Sequence, residues 1–518
     1  MRKFAKFLVL TVLTLAVILP AAQADESAQY AKGVVFNDAN MNGVRDSGEE
    51  GLPNVGVSNG SMIVQTGSDG AYQVPVDDDT IIFVIKPRGW RAPLDKNNIS
   101  RFFYVHKPKG SPAMKYKGVD PTGPLPESID FPLCRQDEPD RFKALFLGDT
   151  QPHNNETVYY MSHDIMEELA GSDAAFGVTL GDVVGNTLSL YEDVAAAHGL
   201  TGIPWVYVKG NHDTNYDGQP DHHRTYETWA RVFGPPYYSF NYGPVHFVVL
   251  NNPYFGQKSG YTAKLDFTQM SWLRRDLALV PKDQLVVLMM HIPLHRMADR
   301  AEIFSLLQDR PNTFSISGHT HTMYHIFYDE TTGWKGSEPH HHLVNGAACG
   351  AWWRGTPDEV GLPHASSADG TPNGYSIITF DGTKYSVRFK AARRPADYQM
   401  TVYAPNEIPA ADTGKTKVVA NIFSSSDRSK VEMRLGDGPW VPMARVPQPD
   451  PGYLMAKQLE DKVAKPLPWR GVSAPGNSSH TWEALLPANL AVGAHMVQVR
   501  STDMFGQTDI GRRIIYVR

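Results

Sequence analysis

Five apolar runs in this 518-residue chain each lead into residue types that ligate metal ions. Ala144-Leu145-Phe146-Leu147 runs into Gly148-Asp149-Thr150-Gln151, and Phe176-Gly177-Val178-Thr179-Leu180 into Gly181-Asp182. Ile203 to Val208 runs into Lys209-Gly210-Asn211-His212-Asp213, Leu285 to Met290 into His291, and Phe314 to Ser317 into Gly318-His319-Thr320-His321. Runs of this length and composition are strands, and a terminal Gly permits the tight turn that presents the following side chains. One such run is explained by a strand and an ordinary Asn/Asp turn. Five in order are not, because strand tips rarely collect His and Asp for packing, whereas open α/β sheets build sites outside the carboxyl ends of their strands.

The inventory is two Asp, one Asn, one Gln and three His, with His212 left over. Mixed carboxylate, imidazole and amide oxygen suits Mn, Zn, Fe or Co better than Ca. Seven ligands exceed the needs of one tetrahedral ion, which implies two ions. A shared carboxylate would hold them about 3.5–4 Å apart, the spacing used for in-line phosphoryl chemistry.

On these motifs, GDxQ, GD, GNHD, an isolated His and GHTH, residues 140–325 resemble the calcineurin-like metallophosphoesterase family. The resemblance implies that Asp149, Gln151, Asp182 and His321 hold one metal, and that Asp182, Asn211, His291 and His319 hold the other, with Asp182 bridging. His212 is then the cation or acid near the leaving group. The implied fold is α/β, a metallophosphoesterase α/β/β/α sandwich.

Two departures from the family pattern matter. Gln151 stands where most relatives have His; its neutral amide oxygen predicts a weaker site there that favours Mn or Mg over Zn. His153 is the alternative ligand, though out of register with the strand tip. After Asp182 the chain reads Val183-Val184-Gly185-Asn186, so the Arg and second Asp of the protein Ser/Thr phosphatases are absent. That argues against a phosphoprotein phosphatase and leaves either Asp213 or Asn186 to orient His212.

Around this centre the chain divides into four parts. Residues 1–24 read as a secretory signal peptide: Arg2, Lys3 and Lys6, an apolar run from Phe7 to Leu19, and Ala22-Gln23-Ala24 before Asp25. An uncleaved anchor is the alternative. Removing the segment moves the formal charge from −6 to −9, so the mature chain has no electrostatic footprint for nucleic acid and no membrane-spanning segment. The expected location is periplasmic or secreted.

Residues 25–136 alternate short β-type runs with Gly, Asp and Pro turns, which predicts a small β-sandwich. Within it Asp38, Asn40, Asn42, Asp46 and Glu49, with Gly43 at the turn, have calcium-loop spacing. The loop resembles the calcium-binding B-type repeats of bacterial adhesins; the alternative is a loop satisfied by its own hydrogen bonds. Residues 137–395 form the catalytic domain, with helices expected over 156–169, 188–197, 267–280 and 300–307. Residues 396–518 read as an immunoglobulin-like β domain.

Further residues carry two readings each. Trp352 and Trp353 either wall a substrate pocket or form a buried pair. His222 and His223 either reach a substrate phosphate or are solvated loop residues. Cys134 and Cys349, the only cysteines, either pair in an oxidising compartment or stay as buried thiols. His340, His341 and His342 alternate faces on a strand and cannot converge on one ion. The arrangement of domains resembles an exported bacterial subgroup of the family.

The function expected is that of an exported dinuclear phosphoesterase, with Mn favoured, acting on a phosphodiester or pyrophosphate of the cell envelope by attack of a metal-bridging hydroxide. Asn211, His212 and Asp213 are its candidate catalytic residues. A phosphomonoesterase using the same site is the close alternative, and an inactive envelope-binding scaffold the more distant one.

Overall fold

A computed structural model describes residues 29–518; the signal-peptide segment lies outside the described residues. Two sheets form the catalytic domain. The first orders its strands Trp205–Tyr207, Phe176–Thr179, Arg141–Leu147, Gly374–Asp381 and Lys384–Ala391. Its first three strands are mutually parallel, and the last two close it as an antiparallel hairpin. The second orders Tyr238–Tyr242, Val245–Val249, Leu285–Met289, Thr313–Ser317, His340–Val344 and Tyr324–Tyr328, with its four central strands parallel. Every residue of Leu285–Met289 is buried, as expected of a parallel strand covered on both faces.

The sheets face each other across aromatic side chains. Phe247 of the second sheet lies with its ring centroid 5.1 Å from Phe240, 5.2 Å from Phe176 and 5.3 Å from Phe380, so it bridges both sheets. Edge and offset contacts of this kind add to the burial energy. The segments Asn155–Leu169 and Tyr191–Gly199 cover the outer face of the first sheet, forming a second core with Leu145, Leu147 and Val183. Asn154 starts the first of these helices by accepting the Thr157 amide, and a single π turn over Ser162–Met166 interrupts it. Phe267–Leu279 and Arg300–Leu307 carry Trp272, Leu273, Phe304 and Leu307 into the core of the second sheet. The result is the α/β/β/α sandwich.

The N-terminal region is a pair of four-stranded sheets. Its strand Phe131–Arg135 pairs with Gln29–Asn37 just before the catalytic domain begins. The 38–49 loop is closed by its own groups: Asp38 accepts the Asn42 and Gly43 amides, Glu49 those of Ala39 and Asp46, and Asp46 Oδ2 accepts the Asn40 and Asn42 side-chain amides.

The C-terminal region is a second two-sheet sandwich around Val418, Met433, Trp482, Val497 and Val499. Two helices appear that the periodicity does not predict. Glu227–Phe233 is short and buried on most faces, which removes the amphipathic signal. Pro451–Asp461 interrupts the C-terminal strands, although Asp450 as N-cap and Pro451 in the first turn are the ordinary start signal for a helix. Among the described residues no helix is long and apolar enough to cross a membrane.

Candidate metal centre

The five strand tips meet at the seam between the two sheets. Asp149, Gln151 and Asp182 come from the first sheet and hold φ of +42°, +42° and +48°; His319 and His321 come from the second at +75° and +52°. Left-handed backbone costs a non-Gly residue about 1–3 kcal/mol and persists only where the surroundings impose it. Here it turns each side chain back over the strand ends. The neighbouring glycines make room for this: a Cβ on Gly210 would lie 2.2 Å from Asp182 Oδ1, and one on Gly318 would lie 2.5 Å from Asp149 Oδ2.

One ligand group converges tightly. His291 Nε2 lies 3.0 Å from Asn211 Oδ1, 3.2 Å from Asp182 Oδ2 and 3.2 Å from His319 Nδ1. The donor atoms of Asp182, His291 and His319 all fall within 4.8 Å of one another. His291 Nδ1 meets the Leu180 carbonyl at 2.8 Å, which fixes the ring and aims Nε2 at the group. Burial alone would raise the Asp182 carboxyl, but His291 outweighs it and holds that group well below the usual range. Burial opposes charge on His291 as well, yet Asp182 pushes its imidazole up to about 9. Two buried acids and clustered imidazoles thus call for positive charge at this point, which is what a divalent ion supplies.

The second group is looser. Asp149 Oδ1 is buried without a hydrogen-bond partner and lies 3.5 Å from His321 Nε2, while Oδ2 accepts the His319 amide at 2.8 Å. His321 Nδ1 is held by the Gly350 carbonyl at 2.6 Å. Gln151 shares this corner through Cys349, whose Sγ lies 3.9 Å from Gln151 Oε1 and 3.7 Å from His321 Nδ1. An orphaned carboxylate oxygen facing an oriented imidazole fits a second divalent ion. His153 turns away from this group, its Nε2 lying 3.5 Å from Arg470.

His212 stands at the mouth, with its side chain about a third exposed. Its Nδ1 lies 2.8 Å from Asn186 Oδ1 and its backbone amide donates to Asp182 Oδ1 at 2.7 Å. Asp213 does not orient it. That carboxylate is buried and accepts the amides of Gly210, Val183 and Val184 at 2.8, 3.0 and 3.1 Å, which ties the GNHD turn to the segment after Asp182. Asp213 is therefore a positioning residue rather than a catalytic one, because no atom of it is free to face a substrate.

The tryptophan pair divides between its two readings. Trp352 is 37% exposed and lies over His321 at 4.6 Å between ring centroids. Trp353 is buried and donates its indole N–H to the Thr150 carbonyl at 2.9 Å. His222 is buried and accepts the Phe255 amide, and His223 lies 2.6 Å from the Tyr226 hydroxyl, so local partners hold both. On its strand, His340 and His342 meet Ser315 while His341 meets His325 and Tyr385 on the opposite face. Cys134 and Cys349 are both free and buried. The carbonyl clamps at Leu180 and Gly350 and the seat of Cys349 have no sequence signature, since backbone atoms and distant packing supply them.

Three models of one family match the chain in order. The N-terminal model of calcineurin-like phosphoesterase covers residues 39–118, the calcineurin-like phosphoesterase model itself 142–323, and the C-terminal model 342–508. The last takes in the catalytic hairpin 374–391 as well as the terminal sandwich. A 94-residue segment is 35% identical to the serine/threonine-protein phosphatase CPPED1 of Danio rerio and, equally, of Homo sapiens. That segment is 18% of this chain and 29% of each relative, so the chain spans less than a third of the curated relatives it matches. Among solved structures, purple acid phosphatase PPD1 of yellow lupin, Lupinus luteus, aligns over 70% of this chain and 71% of its own, at 13% identity and a TM-score of 0.37.

Two substitutions test this geometry. Gly318→Ala drives a methyl into Asp149 Oδ2 and is expected to lower the bound-metal content measured by elemental analysis; wild-type content would contradict the close approach. Asn186→Ala frees the His212 ring and is expected to slow phosphoester turnover about 10- to 100-fold with metal content unchanged. An unaltered rate would remove Asn186 from the site.

Proposed function

Because the chain belongs to the calcineurin-like phosphoesterase family, whose N-terminal, catalytic and C-terminal models together span most of it, we propose that it is an exported, metal-dependent hydrolase of a phosphodiester or pyrophosphate linkage, with a cell-envelope component as substrate. The observation that carries this reading is the convergence of Asp182, Asn211, His291 and His319 beside the unpartnered oxygen of Asp149. Asp149, Gln151, Asp182 and His321 would hold one divalent ion, and Asp182, Asn211, His291 and His319 the other. When bound, such ions act as Lewis acids and make water acidic enough to attack phosphorus near neutral pH. Manganese is favoured because Gln151 contributes a neutral amide oxygen rather than a softer imidazole.

The chain's own groups do the rest. The carbonyls of Leu180 and Gly350 fix His291 and His321 so that their Nε2 atoms face inward. Asn186 fixes His212 at Nδ1, and Nε2, 4.0 Å from Asp182 Oδ2, faces the centre, where it would protonate a leaving oxygen. Trp352, 37% exposed beside His321, offers apolar surface at the rim of the centre for the organic part of a substrate. The name of the curated relatives favours a second reading, a phosphomonoesterase using the same residues. Export rests on residues 1–24 alone.

The 38–49 loop is proposed as a calcium site with a stabilising role. Turning the Asn40 and Asn42 amides about their side-chain bonds would direct their oxygens inward beside those of Asp38, Asp46 and Glu49.

Hydrolysis of bis-p-nitrophenyl phosphate and of p-nitrophenyl phosphate with Mn²⁺ distinguishes the readings. Preference for the diester is expected, with a loss of about 10²–10⁴-fold in His212→Ala and loss of both activity and bound metal in Asp182→Ala. Preference for the monoester would move the substrate class to the second reading. No metal-dependent turnover of either, in a protein devoid of bound metal, would point to an inactive binding scaffold. For the loop, calcium at about 100-fold above its Kd should add about 2.7 kcal/mol of stability, seen as a raised melting temperature that Asp38→Ala abolishes. A calcium-independent melting temperature in the unmodified protein would leave the loop closed by its own hydrogen bonds.

A further inference from the structure

One loop of the C-terminal domain reaches the rim of the metal centre at Trp352, and it is built to hold a single guanidinium there. The helix Pro451–Asp461 carries Glu460, which is 2% exposed. Its carboxylate accepts the Trp469 indole N–H and the Val472 amide, each at 2.9 Å, and so clamps the loop on both sides of Arg470. The Arg470 carbonyl then accepts the amide of Gly355 at 2.9 Å, docking the loop tip onto the segment that follows the tryptophan pair. From this mount the Arg470 guanidinium reaches the Trp352 carbonyl at 3.4 Å and His153 Nε2 at 3.5 Å.

A second guanidinium lies beside it. Arg354 places its Cζ 5.5 Å from the centroid of the Trp352 ring, and its buried Nε has no hydrogen-bond partner. Burial and the neighbouring Arg354 guanidinium both pull the Arg470 guanidinium below its ordinary value. Among the described residues neither Arg354 nor Arg470 forms an ion pair, whereas Arg388 holds Asp509 and Arg393 holds Asp164. Two adjacent guanidiniums with no carboxylate between them repel, and an arrangement of this kind is stabilised by an anion that accepts from both. Trp352 touches both His321 and Arg354, so the anion's place is beside the metal centre.

We propose that Arg470 and Arg354 form a second anion subsite, contributed jointly by the C-terminal and catalytic domains, for an oxyanion group one linkage away from the phosphoryl group under attack. The substrate is then a compound with two neighbouring anionic groups, of which a pyrophosphate linkage is the simplest. This inference rests on the phosphoesterase reading of the metal centre. It also gives the C-terminal sandwich a role in specificity.

The test is calorimetric binding to the full-length protein with Mn²⁺ in excess, using methylphosphonate, methylenediphosphonate and phosphonoacetate as probes. The unmodified protein should bind the two probes with a second anionic group more tightly than methylphosphonate. Arg470→Ala and Arg354→Ala should each reduce that advantage about 10- to 100-fold. Arg470→Lys should recover part of it, because the charge returns without the planar fork. Loss confined to methylenediphosphonate assigns the subsite to phosphoryl groups, and equal loss for phosphonoacetate assigns it to oxyanions at large. An unchanged advantage in both alanine variants, or an equal weakening of all three probes, would overturn the proposal. Turnover of bis-p-nitrophenyl phosphate by the unmodified protein reports the metal-centre reading separately, so failure of one is not mistaken for failure of the other.

Discussion

Everything in this molecule depends on keeping two carboxylates, Asp149 and Asp182, fully buried at the seam between two sheets. Buried charge is costly unless it is paired. Around these acids the chain places His291, His319 and His321, and imidazole is a group that serves as a metal ligand when neutral. Five of the side chains involved sit on left-handed backbone. No packing requirement of a strand tip demands that conformation, and the surrounding contacts across the seam impose it.

The rest of the fold follows from holding those tips in register. Parallel strands bring the carboxyl ends of the motif strands to one edge, and the aromatic cluster around Phe247 keeps the two sheets at a fixed spacing. Contacts then cross the seam directly: His291 of one sheet to the Leu180 carbonyl of the other, and the His319 amide to Asp149. The glycines at 210 and 318 let a carboxylate approach backbone where a Cβ would stand. The terminal domains are part of this frame. Lys86 of the N-terminal sandwich bonds Glu138 and the Asn241 carbonyl, and Asp369 of the catalytic domain meets His480 of the C-terminal one.

Much of this was legible in the sequence. The sandwich architecture and the ligand-bearing tips could be read because strand, Gly and ligand recur in a short local pattern whose physics is local too. The alternation that kept His340 to His342 from converging was equally readable, being set by strand period alone. What lay outside that pattern was not. Asp213 looked catalytic from its place in the GNHD run, but its oxygens are taken up by three amides that come close only when the loops fold together. For His222 and His223 the sequence left a substrate contact and a solvated loop open, and the Phe255 amide and the Tyr226 hydroxyl that hold them carry no local signal. Trp352 and Trp353 are adjacent and chemically alike, and only the turn between them sends one outward and one inward. Arg470 is more than 300 positions from Gln151, and no local signal links a C-terminal loop to the site it borders.

The central claim is that Asp182 serves two ions at once. Anomalous diffraction from crystals of the Mn²⁺-loaded protein tests it most directly. The account predicts two peaks about 3.5–4 Å apart, with Asp182 in contact with both, Asp149, Gln151 and His321 on one side and Asn211, His291 and His319 on the other. A single peak, or two peaks that do not share Asp182, would contradict it.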